Sequence, residues 1–156
     1  LERQGCRTLF WRVKIRPGSP FSFGVIARSG RALPVFGLPG NPVSALVTFE
    51  ILVRPVLRRM LGRSAVYPAI RLAETGEEIR SPAGLVRFLR VRLEPRSSDL
   101  PVCYLTGPQG SGILTSVAAA SALLVVPLET GRIAAGSRVR VVPLHDGDEA
   151  RTVLDL

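Results

Sequence analysis

The sequence predicts a mixed α/β part followed by an all-β part, and three observations carry that reading. Extended runs lead through a Pro-Gly-Asn-Pro turn into one long helical pattern that ends near Gly62. Beyond it no long helical pattern recurs. Short apolar runs there alternate with Gly, Pro and Ser, as in a small barrel or sandwich. The composition changes between Arg63 and Pro68, which divides the chain into an α/β part at 1–63, a β part at 64–145 and a tail at 146–156. A length of 156 residues accommodates one ordinary domain or two small ones. Leu1 is no initiator and the sequence enters almost directly into a strand, so the chain reads as a fragment.

Residues 8–16 read TLFWRVKIR. Leu9, Trp11, Val13 and Ile15 alternate with Phe10, Arg12, Lys14 and Arg16, a period of two that predicts one half-buried strand with three cations on one side. Pro17-Gly18-Ser19-Pro20 ends it as a turn. Phe21 to Ala27 and Ala32 to Leu38 are two further extended runs around a hairpin-like Ser29-Gly30 turn.

In the helix, Asn41 is a good N-cap and Pro42 suits the first position, where a missing N–H costs nothing. Ser44, Thr48, Arg54 and Arg58 form a narrow polar stripe, and Glu50 can pair with Arg54 four residues on. The remaining positions are apolar and predict a largely buried helix. Pro55 should kink it or end its regular part, Gly62 should stop it, and Arg58 and Arg59 suit its negative end.

In the β part, extended runs fall at 69–74, 85–94, 101–106, 122–128 and 137–143. The second is anomalous. Arg87 shares a face with Leu89 and Val91, whereas Arg90 shares one with Val86 and Phe88. At least one of these arginines must leave an apolar face for an anion, a partner or the barrel rim. The tail HDGDEARTVLDL has no clear pattern.

Composition narrows the functional classes. With 46% hydrophobic and 21% charged residues the chain can bury a core, so wholesale disorder is excluded. No run of 18 apolar residues is free of charge, and the opening LERQGCRTLF lacks an apolar core of signal-peptide length. Cys6 and Cys103 have no Cys-x-x-Cys spacing and the only His is His145, so reduced thiols in a cytoplasmic compartment fit better than a disulfide or zinc site. The formal net charge of +9 attracts anions. Its arginines are nevertheless spread singly and in pairs, with no interleaved aromatics, which argues against nucleic acid and acidic membranes as partners.

Two sets of residues are candidates for chemistry. The passage from Val35 to Ala45 puts Pro39, Gly40, Asn41, Pro42 and Ser44 at a helix start whose free N–H groups form a ready anion site. The plain alternative is a well-capped helix. Arg12, Lys14 and Arg16 would converge on the same anion if their strand lay beside 32–38. The loop Thr106–Gly112 is glycine-rich but lacks the Lys-Ser/Thr ending of a P-loop, so a barrel turn is its default reading. His145 reads as surface rather than base. No carboxylate cluster suits Mg²⁺.

The runs WRVKIRPGSPFSFG, VFGLPGNPVSALVTFEILVRPVLRRMLG, LVRFLRVRL and LTGPQGSGILTSVAAASALLVVP, in this order, resemble the MoeA/gephyrin E-domain family of molybdopterin molybdotransferases over about residues 8–144. The resemblance implies the C-terminal part of a MogA-like molybdopterin-binding α/β domain followed by a small β-barrel domain. It implies an enzyme that takes adenylylated molybdopterin and molybdate, and with Mg²⁺ releases AMP. It also implies a cytoplasmic homodimer with a cleft between subunits. The family's strand cations fall on Arg12 and Arg16, commonly Lys in relatives, and a further Lys position is Ser19 here. Its barrel arginine and loop serine fall on Arg90 and Ser111. The implied catalytic set is therefore Arg12, Arg16, Arg90 and Ser111, with Pro39, Gly40, Asn41, Pro42 and Ser44 as the molybdopterin-binding set. The acidic Mg²⁺ ligands are expected upstream of Leu1. The rival class is a non-catalytic anion- or peptide-binding interaction module.

Overall fold

The computed structural model describes residues 5–97, 100–144 and 150–151. The strand predicted at 8–16 is two strands in two sheets: β1 (Cys6–Trp11) and β2 (Ile15–Arg16). Two local events break the expected alternation. Leu9 is an extra residue where β1 pairs with β3 (Ser22–Arg28), so Thr8 faces Gly24 while Phe10 already faces Phe23. Arg12 then takes φ 73°, and the Arg12 and Val13 N–H groups turn back to the Phe21 and Ser19 carbonyls. Leu9, Phe10 and Trp11 are consequently exposed rather than half-buried. At Gly24 a Cβ would stand 2.8 Å from the Arg7 carbonyl oxygen, so β1 can approach only a glycine there.

The strand β4 (Arg31–Gly37) pairs with β3 across a two-residue hairpin in which Ser29 and Gly30 have φ 50° and 75°. Positive φ at both positions suits the right-handed twist of a tight hairpin. The order is β1-β3-β4, so β1 lies beside β3 and not beside the 32–38 run. Phe10, Phe21, Phe23 and Phe36 stack in tilted pairs with ring centroids 5.2–6.3 Å apart.

The helix begins as α1 (Pro42–Thr48), passes through a π turn at Phe49–Val53, and continues as α2 (Arg54–Met60). The wider turn sits just before Pro55, whose ring and missing N–H do not fit a regular ladder. Gly62, at φ 77°, donates to Arg59 O and Arg63 donates to Arg58 O, closing the helix with paired terminal bonds. Glu50 and Arg54 meet at 2.5 Å. The polar stripe, however, is split between inside and outside. Ser44 and Thr48 are buried, whereas Leu46, Phe49, Leu57 and Met60 are exposed. The Thr48 hydroxyl donates to Ser44 O at 2.8 Å and can also reach Ala45 O, so it is satisfied within its own helix and only its methyl meets the neighbours. Asn41 caps the start by accepting the Val43 N–H at 3.2 Å. Asn41→Ala is expected to lower the unfolding free energy by about 1 kcal/mol in urea titration.

The β part is a closed barrel rather than a sandwich. It follows β5 (Tyr67–Pro68) and is built from β6 (Arg71–Thr75), β8 (Val86–Glu94), β9 (Val102–Leu105), β10 (Ala122–Val126) and β12 (Arg138–Pro143). The ring closes because β10 pairs with both β12 and β8, β12 with β6, β6 with β9, and β9 with β8. Two short pairs were not evident from the sequence: β7 (Ile79–Arg80) with β11 (Arg132–Ile133), and β5 with β13 (Ala150–Arg151). The latter puts a strand in the patternless tail; His145 lies outside the described residues.

The strand β10 is buried on both faces. Ala122, Leu124 and Val126 join Ala73, Val91 and Val141 in one core, while Leu123 and Val125 join Phe88, Val47 and Ile51 in a second. The helix therefore packs on the outside of the barrel, and β2 extends β8 in parallel with Arg16 beside Arg87. Cys6 and Cys103 are free and buried. Burial, with the Glu77 charge adding to it, pushes the Cys103 thiol up to about 11 from 9.0. The folded state thus holds that proton more tightly than the unfolded chain does. Its stability should be full below pH 9 and fall by on the order of 2 kcal/mol as pH rises through 11. Urea titrations of the native chain and Cys103→Ala across that window should diverge accordingly.

Candidate active site

Where the β2 extension and the helix start meet the barrel, they enclose a cleft of about 440 Å³. Three backbone segments build it. The turn after β2 contributes Arg16 to Pro20, the β4–α1 junction contributes Pro39, Gly40, Asn41 and Ser44, and the glycine-rich loop contributes Gln109 and Ser111. Leu85, at the entrance to β8, closes one side. Among the described residues, Arg16 is the one charged side chain of this lining, and no acidic residue lines it.

Local chemistry fixes each wall. Ser19 Oγ donates to Ile15 O at 2.6 Å and holds the Pro17–Pro20 turn against β2. Gly40 is not in a left-handed conformation, and a Cβ there would meet nothing within 4 Å. Its missing side chain leaves bare backbone facing the cleft. Of the first-turn N–H groups, that of Val43 is taken by the Asn41 side chain and that of Ala45 by Asn41 O. The helix start is therefore less open to an anion than the sequence implied, and Ser44 is its helical residue in the lining.

Of the nine predicted residues, the cleft brings together Arg16, Pro39, Gly40, Asn41, Ser44 and Ser111. Pro42, Arg12 and Arg90 do not line it. The Arg12 guanidinium, in the break between β1 and β2, lies 4.4 Å from the Trp11 ring centroid. Arg90 is only 1% exposed and sits behind the glycine-rich loop. Its Nε donates to Ser116 Oγ at 2.9 Å, and its Nη2 donates to Gly110 O at 3.1 Å and to Pro108 O at 3.3 Å. Among the described residues, Nη1 has no hydrogen-bond partner although it is buried. Burial pushes the Arg90 pKa down. Gln109 completes the fastening: Oε1 accepts the Arg90 N–H at 2.8 Å, while Nε2 donates to Arg90 O and Gly107 O. The sequence offered no signal for Gln109, because its partner lies 19 residues away on β8.

Two families match this chain. Residues 1–59 match a probable molybdopterin binding domain, and residues 73–144 match the MoeA C-terminal region (domain IV). The chain belongs to the MoeA family. Molybdopterin molybdenumtransferase 1 of Mycobacterium tuberculosis is 41% identical over 134 residues, covering 83% of this chain and 31% of that protein. The molybdopterin molybdenumtransferase of Synechococcus elongatus is 38% identical, covering 90% and 33% respectively. Among solved structures, the molybdopterin biosynthesis moeA protein of Pyrococcus horikoshii superposes with a TM-score of 0.68 at 27% identity, over 87% of this chain and 32% of that one. This MoeA-family chain thus spans about a third of the length of the curated relatives it matches.

Among the described residues of the MoeA-family chain, no group of three or more His, Cys, Asp or Glu could hold a metal ion. These residues do not fit Mg²⁺. Nor is any helix among them long and apolar enough to cross a membrane. A cavity of about 600 Å³ lies elsewhere on the barrel between Leu72, Val125, Pro127 and Arg140 and contains none of the predicted site residues. Several arginines are paired on the barrel surface. Arg80 and Arg132 flank Glu78, and together they hold its carboxyl below the usual range.

Proposed function

We propose that this chain is the C-terminal part of an enzyme that inserts molybdate into adenylylated molybdopterin with release of AMP, acting in the cytoplasm as a homodimer. The observation that carries the reading is the acid-free cleft that gathers Arg16, Gly40, Asn41, Ser44 and Ser111 in a member of the MoeA family. A guanidinium offers a planar fork of donors to two oxygens of a phosphate or molybdate. The Ser44 and Ser111 hydroxyls add donors from two different segments of the lining, and bare backbone at Gly40 leaves room for a bulky oxyanion. Arg90 and Gln109 act as positioning residues that hold the Ser111 loop. Arg12 enters only through the family resemblance. Fixed donors in place before the anion arrives would stabilise charge developing on the transferring group without reorganisation. Two buried free thiols suit a reducing compartment.

In the full-length protein, Arg16→Ala should cost about 1.5–3 kcal/mol of binding, a weakening on the order of 10- to 150-fold. Molybdenum insertion at limiting molybdate measures it. Unchanged insertion would remove Arg16 from the site.

A further inference from the structure

The anomaly in β8 has a structural resolution that adds a residue to the cleft. Of the two arginines, Arg90 turns under the glycine-rich loop, while Arg87 remains at the end of the strand, half-buried, with Nε donating to Pro82 O at 3.2 Å. The parallel register sets Arg16 directly beside Arg87, and in-register neighbours in a parallel pair project to the same side of the sheet. Leu85, in the bend just before β8, lines the cleft together with Arg16. Arg87 therefore stands next to the cleft's one lining cation. Among the described residues, neither arginine has a carboxylate partner, although Arg54, Arg80, Arg92, Arg96 and Arg132 all do.

Resting on the reading of the cleft as an oxyanion site, we propose that Arg16 and Arg87 form a two-arginine clamp for one dianionic tetrahedral group, with Arg87 as the second ligand. Two guanidinia side by side with no acid between them repel each other, and a shared dianion converts that repulsion into two attractive contacts. Burial first, and then the Arg16 charge, push the Arg87 pKa down. Molybdate and a terminal phosphate present the same chemistry to such a clamp.

Calorimetric titration of the full-length protein with molybdate alone, and separately with inorganic phosphate, tests the clamp. The comparison covers native protein, Arg16→Ala, Arg87→Ala and Arg87→Lys. Arg87→Ala should weaken one or both anions about tenfold or more, with Arg87→Lys intermediate because it keeps the charge without the fork. A loss confined to molybdate makes the clamped group the metal oxyanion, and a loss confined to phosphate makes it the phosphate of the pterin substrate. Thermal melting supplies a second readout: saturating anion should raise the native melting temperature by more than that of Arg87→Ala. If Arg16→Ala weakens binding while Arg87→Ala and Arg87→Lys leave both anions unchanged, the clamp is overturned and the cleft stands. If Arg16→Ala also changes nothing, the reading of the cleft falls first and the clamp with it.

Discussion

Arg90→Ala is expected to lower the unfolding free energy by about 3 kcal/mol, and Arg90→Met by roughly half as much. The difference separates two opposing effects. Arg90 is 1% exposed, so truncation to Ala empties the space of a large side chain and abandons its bonds to Ser116, Pro108 and Gly110. Against this, its guanidinium is buried with no carboxylate partner and no partner for Nη1 among the described residues, so removing the charge relieves a desolvation cost. Met keeps most of the volume while shedding the charge, and the abandoned carbonyls belong to the exposed residues Pro108 and Gly110. Ser116 keeps a partner in Ile113 O at 2.7 Å. Arg90→Lys tests the fork itself: an ammonium gathers its donors on one nitrogen, whereas Ser116 and Gly110 are served from Nε and Nη2, so it should fall close to Ala. Native stability in Arg90→Lys would mean that charge rather than geometry fastens the loop. Anion affinity should decline in all three variants through a loosened Ser111, although Arg90 does not line the cleft.

What could be read from the sequence follows the range of the interactions involved. The five long barrel strands were legible because turn residues bound each run, and the helix ends because Asn41 and Gly62 act within one turn of themselves. The first strand was not, since one bulged residue at Leu9 and one positive φ at Arg12 each reset a period-two pattern without altering the residue types. Burial of Ser44 and Thr48 escaped for a related reason. A hydroxyl that bonds its own helix is apolar toward its neighbours, yet it counts as polar in any periodicity. In the candidate site, Arg16 and the Pro-Gly-Asn turn were legible as types suited to anions, and Ser111 came from the family resemblance. Their convergence required β2 to pair with β8, a contact 71 residues apart in sequence that no local pattern encodes. The same pairing decides between the two anomalous arginines. The sequence showed that one must leave its face, whereas only the packing of residues 107–112 determines that Arg90 goes under the loop and Arg87 stays beside Arg16.

Gly18→Ala should cost about 3–4 kcal/mol and disturb the cleft at the same time, for two separable reasons. Gly18 has φ 116°, a conformation that an L side chain strains to adopt. An added Cβ would also stand 2.3 Å from Thr48 Cγ2 and 3.4 Å from Ile15 Cδ1. The first contribution belongs to the backbone and no second mutation can remove it. The second can be removed with Thr48→Ser, which deletes the clashing methyl and retains the hydroxyl bond to Ser44 O. Alone, Thr48→Ser should cost about 1 kcal/mol for the lost buried methyl. In the double variant the steric part vanishes, so the two costs should fall short of their sum by about 1–2 kcal/mol in a double-mutant cycle. Strict additivity would show that the turn moves away from the helix freely, and the close packing of Gly18 on Thr48 would then have no energetic weight. Because Gly18 lies between Arg16 and Ser19 in the cleft wall, Gly18→Ala should weaken molybdate binding as well. Thr48→Ser added to it should recover part of that binding in step with stability, since relieving the clash lets the turn, and Arg16 with it, return toward its native position.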